Sequence, residues 1–419
     1  MATVVLIGTL DTKGAEYKYM QETLLAAGVE VVLVDIGVLK DPAIEPDISS
    51  ADVAAAAATT IEALRFAREG SDTRAKALEA MERGATTIAQ NLRAEGRCDA
   101  ILGAAGSGGA AVISGVMRAM PLGMPKLLLT TMVMNAAAYI GTRDITLMHS
   151  VTDIAGLNRF SRRILGNAAL AVAGMTSARD DGNGAPRPLV AITMFGVTTP
   201  GVLRLQERLH DAGFETIVFH AVGSGGRAME QMIDEGLVDG VVDYTVSELT
   251  DEFLGGVFSA GPDRMAAAGR KGIPQVVVPG AIEVLNFGSR ETVPDTFDRP
   301  DRRLIVHNPF VSAVRTNKDE AVALARIMTE KLNRATGPTV VALPLAGFDS
   351  YQKRPDGPYI DDDADGAFCA EFRRTLRPDI PCIEADLNIN DADFADRVAD
   401  SFIGIWRDAK AARGNGDDG

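Results

Sequence analysis

The chain reads as an α/β protein of two tandem Rossmann-like domains with mainly parallel sheets and an interdomain cleft. Three observations predict this. Short β-branched apolar runs alternate with longer segments of helical spacing, the pattern of strands buried on both faces and covered by helices. The stretch 180–188, DDGNGAPRP, breaks that alternation with Gly, Asn and Pro, after which it restarts. A glycine loop occurs twice, GSGGAA at Gly106–Ala111 and GSGGRA at Gly223–Ala228, each time between an apolar run and a helical segment. The expected division is therefore 1–179, a linker at 180–188, a second domain at 189–410 and a flexible acidic tail at 411–419.

In order along the chain, Thr3–Ile7 is a continuous apolar run read as a buried strand. Gly14–Ala27 has helical spacing and ends at Gly28, before a strand at Glu30–Val34. Ala51–Ala94 is Ala-rich and helical, with a break expected near Gly70–Ser71. A strand at Ala100–Leu102 leads into the first glycine loop and a helix to about Met120. Strands follow at Lys126–Thr130 and Ile145–His149, then a helix from Asp153, as N-cap, to about Ser177. After the linker come a strand Leu189–Met194, a loop Phe195–Gly201, a helix to His210 and a strand Glu215–Phe219. AAGVEVVLVD (Ala26–Asp35) and DAGFETIVFH (Asp211–His220) match, which points to a duplicated βαβ start. Further strands are expected at Gly240–Asp243, Gln275–Val278, Leu304–His307, Thr339–Leu343 and near Cys382–Ala385.

A chain of 419 residues can bury two cores. Its formal charge of −15 argues against nucleic acid or anionic membrane as partner, since both need basic footprints. The three cysteines, Cys98, Cys369 and Cys382, show no CxxC spacing, which fits a reducing, cytoplasmic compartment. The opening strand run, TVVLIG, is not preceded by a leader pattern. The longest apolar stretch, Leu127–Ile140, is broken by Thr130, Thr131 and Asn135 and does not predict a membrane span.

The chemistry is concentrated at strand ends, where open α/β sheets bind ligands. In GTLDTKG, Gly8–Gly14, Asp11 can hold a cation or hydroxyl, Thr12 can donate to phosphate and Lys13 can neutralise one; helix capping is the alternative role. Gly106, Ser107, Gly108 and Gly109 form an anion cradle, because glycine lets backbone approach a ligand and the first helical N–H groups are unpaired. GSGGAA fits G-x-G-x-x-A formally, but the next strand ends Leu129–Thr130–Thr131 without the acid that holds a dinucleotide ribose. No Walker A sequence is present. Asp144, His149, Ser150 and Asp153 form a polar run in which Asp144 and His149 are candidate catalytic groups, alongside Asp11 and Lys13. In the second half Thr198 and Thr199 precede Pro200, and His220, Gly225, Gly226 and Arg227 surround the second glycine loop, together a second anion site for a small carboxylate. His307, Asn308, Pro309 and Arg315 form a further strand-end group, and His210 is expected at the surface. Neither zinc spacing nor a G-x-S-x-G elbow is found.

These motifs, with VDIGV (Val34–Val38), GTRDITLMHSVTDIAGLNRFSRRIL, MFGVTTPGV, FHAVGSGGRAME, SAGPDR, GIPQVVVPGA, HNPFVSAVRT and LPLAGF, carry a family resemblance. Over residues 1–408 the chain resembles the uncharacterised bacterial, fungal and plant family that includes the N-terminal domain of the tomato mosaic virus resistance protein. The resemblance implies two Rossmann-like subdomains, ATP bound in the first, and dimerisation, so a homodimer is expected. It puts nucleotide contacts on Asp11, Thr12, Lys13 and Gly106–Gly109, with Mg²⁺ near Asp11 if a metal is needed. Two departures stand out: Ala110 follows GSGG where the family usually has Thr or Ser, and MVMNAAAYIG lacks the family's Gly-Asp acid. The expected function is an ATP-binding metabolic enzyme of unassigned reaction on a small anionic substrate. The alternatives are a non-catalytic nucleotide-dependent module, or an enzyme of sugar or acid phosphates that needs no ATP.

Overall fold

The computed structural model describes residues 1–66, 71–178, 187–352 and 357–414. The expected break at Gly70, most of the linker and residues 415–419 lie outside them. The chain divides into two compact units, Met1–Asn183 and Gly184–Gly419.

The first unit holds five parallel strands: β1 (Thr3–Gly8), β2 (Glu30–Asp35), β3 (Ala100–Ala105), β4 (Lys126–Thr130) and β5 (Thr146–His149), in the order β2-β1-β3-β4-β5. Alternation along β1 feeds two cores. Val5 and Ile7 pack with Ala80, Met81 and Ile113 on one face, whereas Val4 and Leu6 pack with Leu24 and Leu165 on the other. The Ala-rich stretch forms three helices, Ser50–Ala56, Ile61–Phe66 and Ser71–Ala94. The helix expected from Asp153 starts at Arg159. Its cap is Asn158, whose side chain accepts the Phe160 and Ser161 N–H groups while Ser161 Oγ accepts the Asn158 N–H, so Asp153 is not the cap.

The second unit repeats this order with one strand more. β6 (Leu189–Met194), β7 (Glu215–His220), β8 (Gly240–Thr245), β9 (Gln275–Gly280), β13 (Thr339–Pro344) and β14 (Cys382–Ala385) are parallel, in the order β14-β13-β9-β8-β6-β7. Counted within its own unit, each sheet places its second strand outside the first and its third inside. The matched sequences AAGVEVVLVD and DAGFETIVFH occupy equivalent places, at β2 and β7, and Gly28 and Gly213 share a positive φ of 82° and 90°. Between β9 and β13 lies an antiparallel sheet of β10 (Val284–Phe287), β11 (Leu304–Asn308) and β12 (Val311–Arg315), of which the sequence pattern predicts only β11. The final helix, Ala392–Gly414, runs into the stretch expected as a tail.

Candidate functional site

In the first unit two loops leave the carboxyl ends of β1 and β3, where the strand order reverses. The loop after β1 starts at Gly8 because no side chain fits there: a Cβ would stand 1.8 Å from Cζ of Tyr17. The buried Tyr17 hydroxyl donates to the Ile7 carbonyl at 2.7 Å and accepts the Ala104 N–H at 2.8 Å, tying together the strands that carry both loops. Burial raises its pKa, so it stays protonated. At the end of β2, the buried Asp35 accepts the Leu10 N–H at 3.0 Å and the Gly37 N–H at 2.8 Å, which fixes the loop after β1 against the turn after β2.

Asp11 does similar work. Its Oδ2 accepts the Leu39 N–H at 2.9 Å, and its Oδ1 is buried without a partner among the described residues. Lys13 Nζ donates to the Ile154 carbonyl at 2.5 Å, and Thr12 Oγ1 donates to Thr9 Oγ1 at 3.1 Å. After β3, Gly106 is the N-cap of the helix Ser107–Arg118, and Ala110 is the first residue to close a helical bond, on the Gly106 carbonyl at 2.8 Å. The N–H groups of Ser107, Gly108 and Gly109 donate to nothing among the described residues. Together the loops line a cavity of about 350 Å³ whose other walls include Ile36, Val38, Leu39 and Leu64. Arg74, from the helix Ser71–Ala94, also lines it.

The second glycine loop is built differently. It follows β7, the second strand of its unit, whereas the first loop follows a third strand. Its helix, Ser224–Asp234, is already capped by an anion of the chain itself. Glu248 Oε1 accepts the N–H groups of Gly223 at 2.6 Å and Gly226 at 3.0 Å, and Glu248 Oε2 accepts Arg264 Nε at 2.6 Å. Arg264 is wholly buried and also donates to Asp243 at 2.5 and 2.6 Å and to Glu230 at 3.3 Å. Burial disfavours its charge, but the Asp243, Glu248 and Glu230 carboxylates outweigh that and hold its pKa well above the ordinary value. Glu230 in turn accepts the N–H groups of Met265, Ala266 and Ala267.

In this half the side chains expected to hold a carboxylate have partners within the chain. Gly225 and Gly226 are glycines for packing: a Cβ on Gly225 would lie 1.9 Å from the His220 carbonyl oxygen, and one on Gly226 2.1 Å from Glu248 Oε2. Arg227 Nη1 donates to the Ser259 carbonyl at 2.7 Å. The Thr198 and Thr199 hydroxyls both bond to the Phe195 carbonyl at 3.2 Å, and Thr198 also meets Thr245 Oγ1 at 2.7 Å. These side chains close their own turns. None of the five is in the lining of the cavity at the carboxyl ends of β6 and β7.

Similarity to known proteins extends over both units. Residues 2–181 match the family described as "Uncharacterised protein family (UPF0261) N-terminal domain", and 187–406 match its C-terminal domain. The chain belongs to the UPF0261 family. A UPF0261 protein of Clostridium tetani is 39% identical over 404 residues, covering 96% of this chain and 98% of that one. One of Rhizobium meliloti is 39% identical over 408 residues, covering 97% and 99%. The ToMV resistance protein Tm-1(GCR237) of Solanum lycopersicum is 35% identical over 427 residues, which is 96% of this chain but 55% of that protein. Among solved structures, a Streptomyces glycosyltransferase complexed with thymidine diphosphate aligns at 14% identity over 95% of this chain and 98% of that one, with a TM-score of 0.18.

Within this UPF0261 chain the other candidates also separate. Asp144 precedes β5, towards its amino end; it pairs with the buried Lys126 at 2.8 Å and accepts the Gly123 N–H at 2.9 Å. His149 is exposed at the end of the edge strand β5 and does not line the first cavity. Asp153 Oδ1 accepts the Ile154 N–H, and Ser150 Oγ donates to the Thr152 carbonyl. His210 bonds Thr216 Oγ1 at 2.8 Å. Arg315 is parted from His307: it is buried and paired with Asp365 at the open end of the β11–β12 hairpin, whereas His307 lies beside the turn. Sequence reasoning missed Arg74 and the apolar wall of the first cavity. Leu64 and Arg74 sit in helices far from any strand end in sequence, so only tertiary packing brings them there. Among the described residues, no helix is long and apolar enough to cross a membrane, and no group of three or more His, Cys, Asp or Glu could hold a metal ion.

Proposed function

We propose that the first unit binds ATP, with its phosphates on the N–H groups of Ser107, Gly108 and Gly109. What carries this reading is that those three donors have no partner among the described residues and face a cavity of about 350 Å³, within the range of small-molecule sites. Helix N-termini favour anions by geometry and dipole. Lys13 and Arg74 supply positive charge in the same lining, and Ile36, Val38 and Leu64 supply apolar surface for a base. Ala110 costs the site a hydroxyl but no backbone donor, since its N–H already closes the helix. For Mg²⁺ the residues fit at one point only, the unpartnered Asp11 Oδ1; phosphate oxygens and water would complete the shell, as is usual for this ion.

The test is calorimetry of the full chain with ATP, ADP and NAD, each with and without Mg²⁺. ATP and ADP should release or absorb heat and NAD should not. Absence of heat with both adenine mononucleotides at millimolar concentration overturns the proposal.

Whether the bound nucleotide reacts is a separate question, and one observation favours a binding module over an enzyme. Among the described residues Asp11 is the single acid in the cavity lining, and no histidine joins it. We infer that the unit uses ATP as a ligand that sets its conformation, in a two-domain protein whose partners include a second copy of itself. Phosphate release assayed across small carboxylic acids checks this: a turnover dependent on any one acid restores the metabolic-enzyme reading.

A further inference from the structure

The second unit has an open cavity of its own, beside its closed glycine loop. It measures about 210 Å³ and lies at the carboxyl ends of β6 and β7, roofed by the β10–β12 sheet. Phe195 and Phe258 give it an aromatic wall, with their rings edge to face at 6.3 Å. Two of the four histidines in the chain line it, His220 and His307. Among the described residues, no Lys, Arg, Asp or Glu does.

The two imidazoles offer free ring nitrogens. His307 Nδ1 lies 2.8 Å from the Tyr351 hydroxyl, which orients the ring and leaves Nε2 without a partner among the described residues. The His220 ring tilts over Phe195 at 5.6 Å between centroids, and neither of its nitrogens bonds to a described residue.

We propose that this cavity binds a one-ring aromatic carboxylate, with the ring against Phe195 and Phe258 and the carboxylate shared by His220 and His307. The volume is below that of a drug-sized site, which limits the occupant to about one ring. Aromatic walls favour a planar body. Two imidazoles suit one acceptor group with two oxygens, and among the described residues no carboxylate competes for them and no guanidinium or ammonium lines the cavity for a phosphate dianion. The site is independent of the nucleotide reading and lies wholly in the other unit.

The probe is benzoate, added to the full chain with its histidines selectively labelled for NMR. The other two histidines, His149 and His210, serve as internal controls. Benzoate should move the His220 and His307 signals at millimolar concentration and leave the controls in place. Tyr351→Phe should weaken benzoate about tenfold by releasing the His307 ring from its hydrogen bond, with the control signals unchanged to show an intact fold. The proposal fails if benzoate moves none or all four signals, if benzamide binds as well as benzoate, or if only Zn²⁺ or inorganic phosphate moves the pair.

Discussion

The two GSGG loops share four residues and almost nothing else. At Gly106–Gly109 the N–H groups of Ser107, Gly108 and Gly109 are unpartnered among the described residues and line a cavity; at Gly223–Gly226 two of the four N–H groups grip Glu248. Gly106 has an ordinary φ of −78°, whereas Gly223 sits at +82°, where a side chain is strained. The topological counterpart of the first loop is the turn after β8, Val246–Ser247–Glu248, because each follows the third strand of its unit. Where the first unit has bare backbone for a ligand, the second has a carboxylate that fills its neighbour's anion site. A glycine-rich helix start leaves N–H groups for an acceptor in both cases; in the second unit the chain supplies it, and in the first no described residue does.

The largest effect should come from removing that internal anion. Glu248→Ala leaves Arg264 with one fewer partner in a fully buried network and leaves the Gly223 and Gly226 N–H groups bare. Breaking a buried pair from one side costs about 3–5 kcal/mol. In urea unfolding, the transition of the second unit should drop by that amount while that of the first unit stays. Equal loss in both units, or none, would mean that Glu248 is not the chain's substitute for a ligand.

Next in size is the nucleotide site itself. Lys13→Ala removes a charged donor worth about 1.5–3 kcal/mol, so ATP affinity should fall at least tenfold in calorimetry. The stability of the first unit should change little, since the ammonium holds only the Ile154 carbonyl. Unchanged affinity would remove Lys13 from the site and leave the backbone cradle with Arg74.

A matched pair of substitutions sharpens the comparison further. Gly225→Ala drives a Cβ to within 1.9 Å of a backbone oxygen, while Gly108→Ala meets only the ends of Arg74 and Leu78 at 3.7 Å. Overpacking of the first kind costs about 1–3 kcal/mol. Gly108→Ala should be neutral or slightly stabilising, by up to about 1 kcal/mol, because Ala is the better helix former. It should nonetheless weaken ATP, since the new methyl faces the cavity. Thermal melts of the two variants, with and without nucleotide, separate packing glycine from ligand glycine.

The fold is legible in the sequence because parallel strands buried on both faces are continuous apolar runs, so β1, β2, β6 and β9 stand out without any structure. The antiparallel β10 and β12 do not, since VLNF and VSAVR are short and sit among polar loops. Local pattern alone marks Gly106–Gly109 as a strand-to-helix junction, and the structure agrees. The same pattern makes Gly223–Gly226 equivalent to it, yet the role of that loop is set by Glu248, 22 positions after Gly226, and by Arg264 beyond it. Local motifs fix backbone geometry; the partner across the gap fixes chemistry, and a single sequence does not say what stands there. Thr198, Thr199 and Arg227 illustrate the same point, each polar at a strand end and each spent on a neighbouring carbonyl.

The smallest effect in the series concerns pH, where the second unit again carries a buried charge imbalance. Glu283, Asp349 and Asp365 surround a single guanidinium, Arg315, and both Glu283 oxygens are buried without a partner among the described residues. Burial lifts the Asp349 carboxyl from 3.8 to about 7 and that of Asp365 to about 6, in each case against the pull of Arg315. Burial likewise lifts Glu283, with Asp349 adding to the shift. An acid whose pKa is higher folded than unfolded binds its proton more tightly in the folded state. Its stabilisation is therefore complete below about pH 4 and is lost as pH rises through about 6 to 7. The melting temperature of the second unit should fall by a few degrees between pH 5 and pH 8, opposite in sign to ordinary acid denaturation. Asp349→Asn keeps the Gln352 N–H acceptor while removing the titration, so it should flatten that slope. A slope that survives in Asp349→Asn belongs to the other raised acids, Asp365, Glu283 and Asp251, the last lifted to about 7 by burial against its hydrogen bonds from Asn286. Asp365→Asn, Glu283→Gln and Asp251→Asn then show which of them carries it.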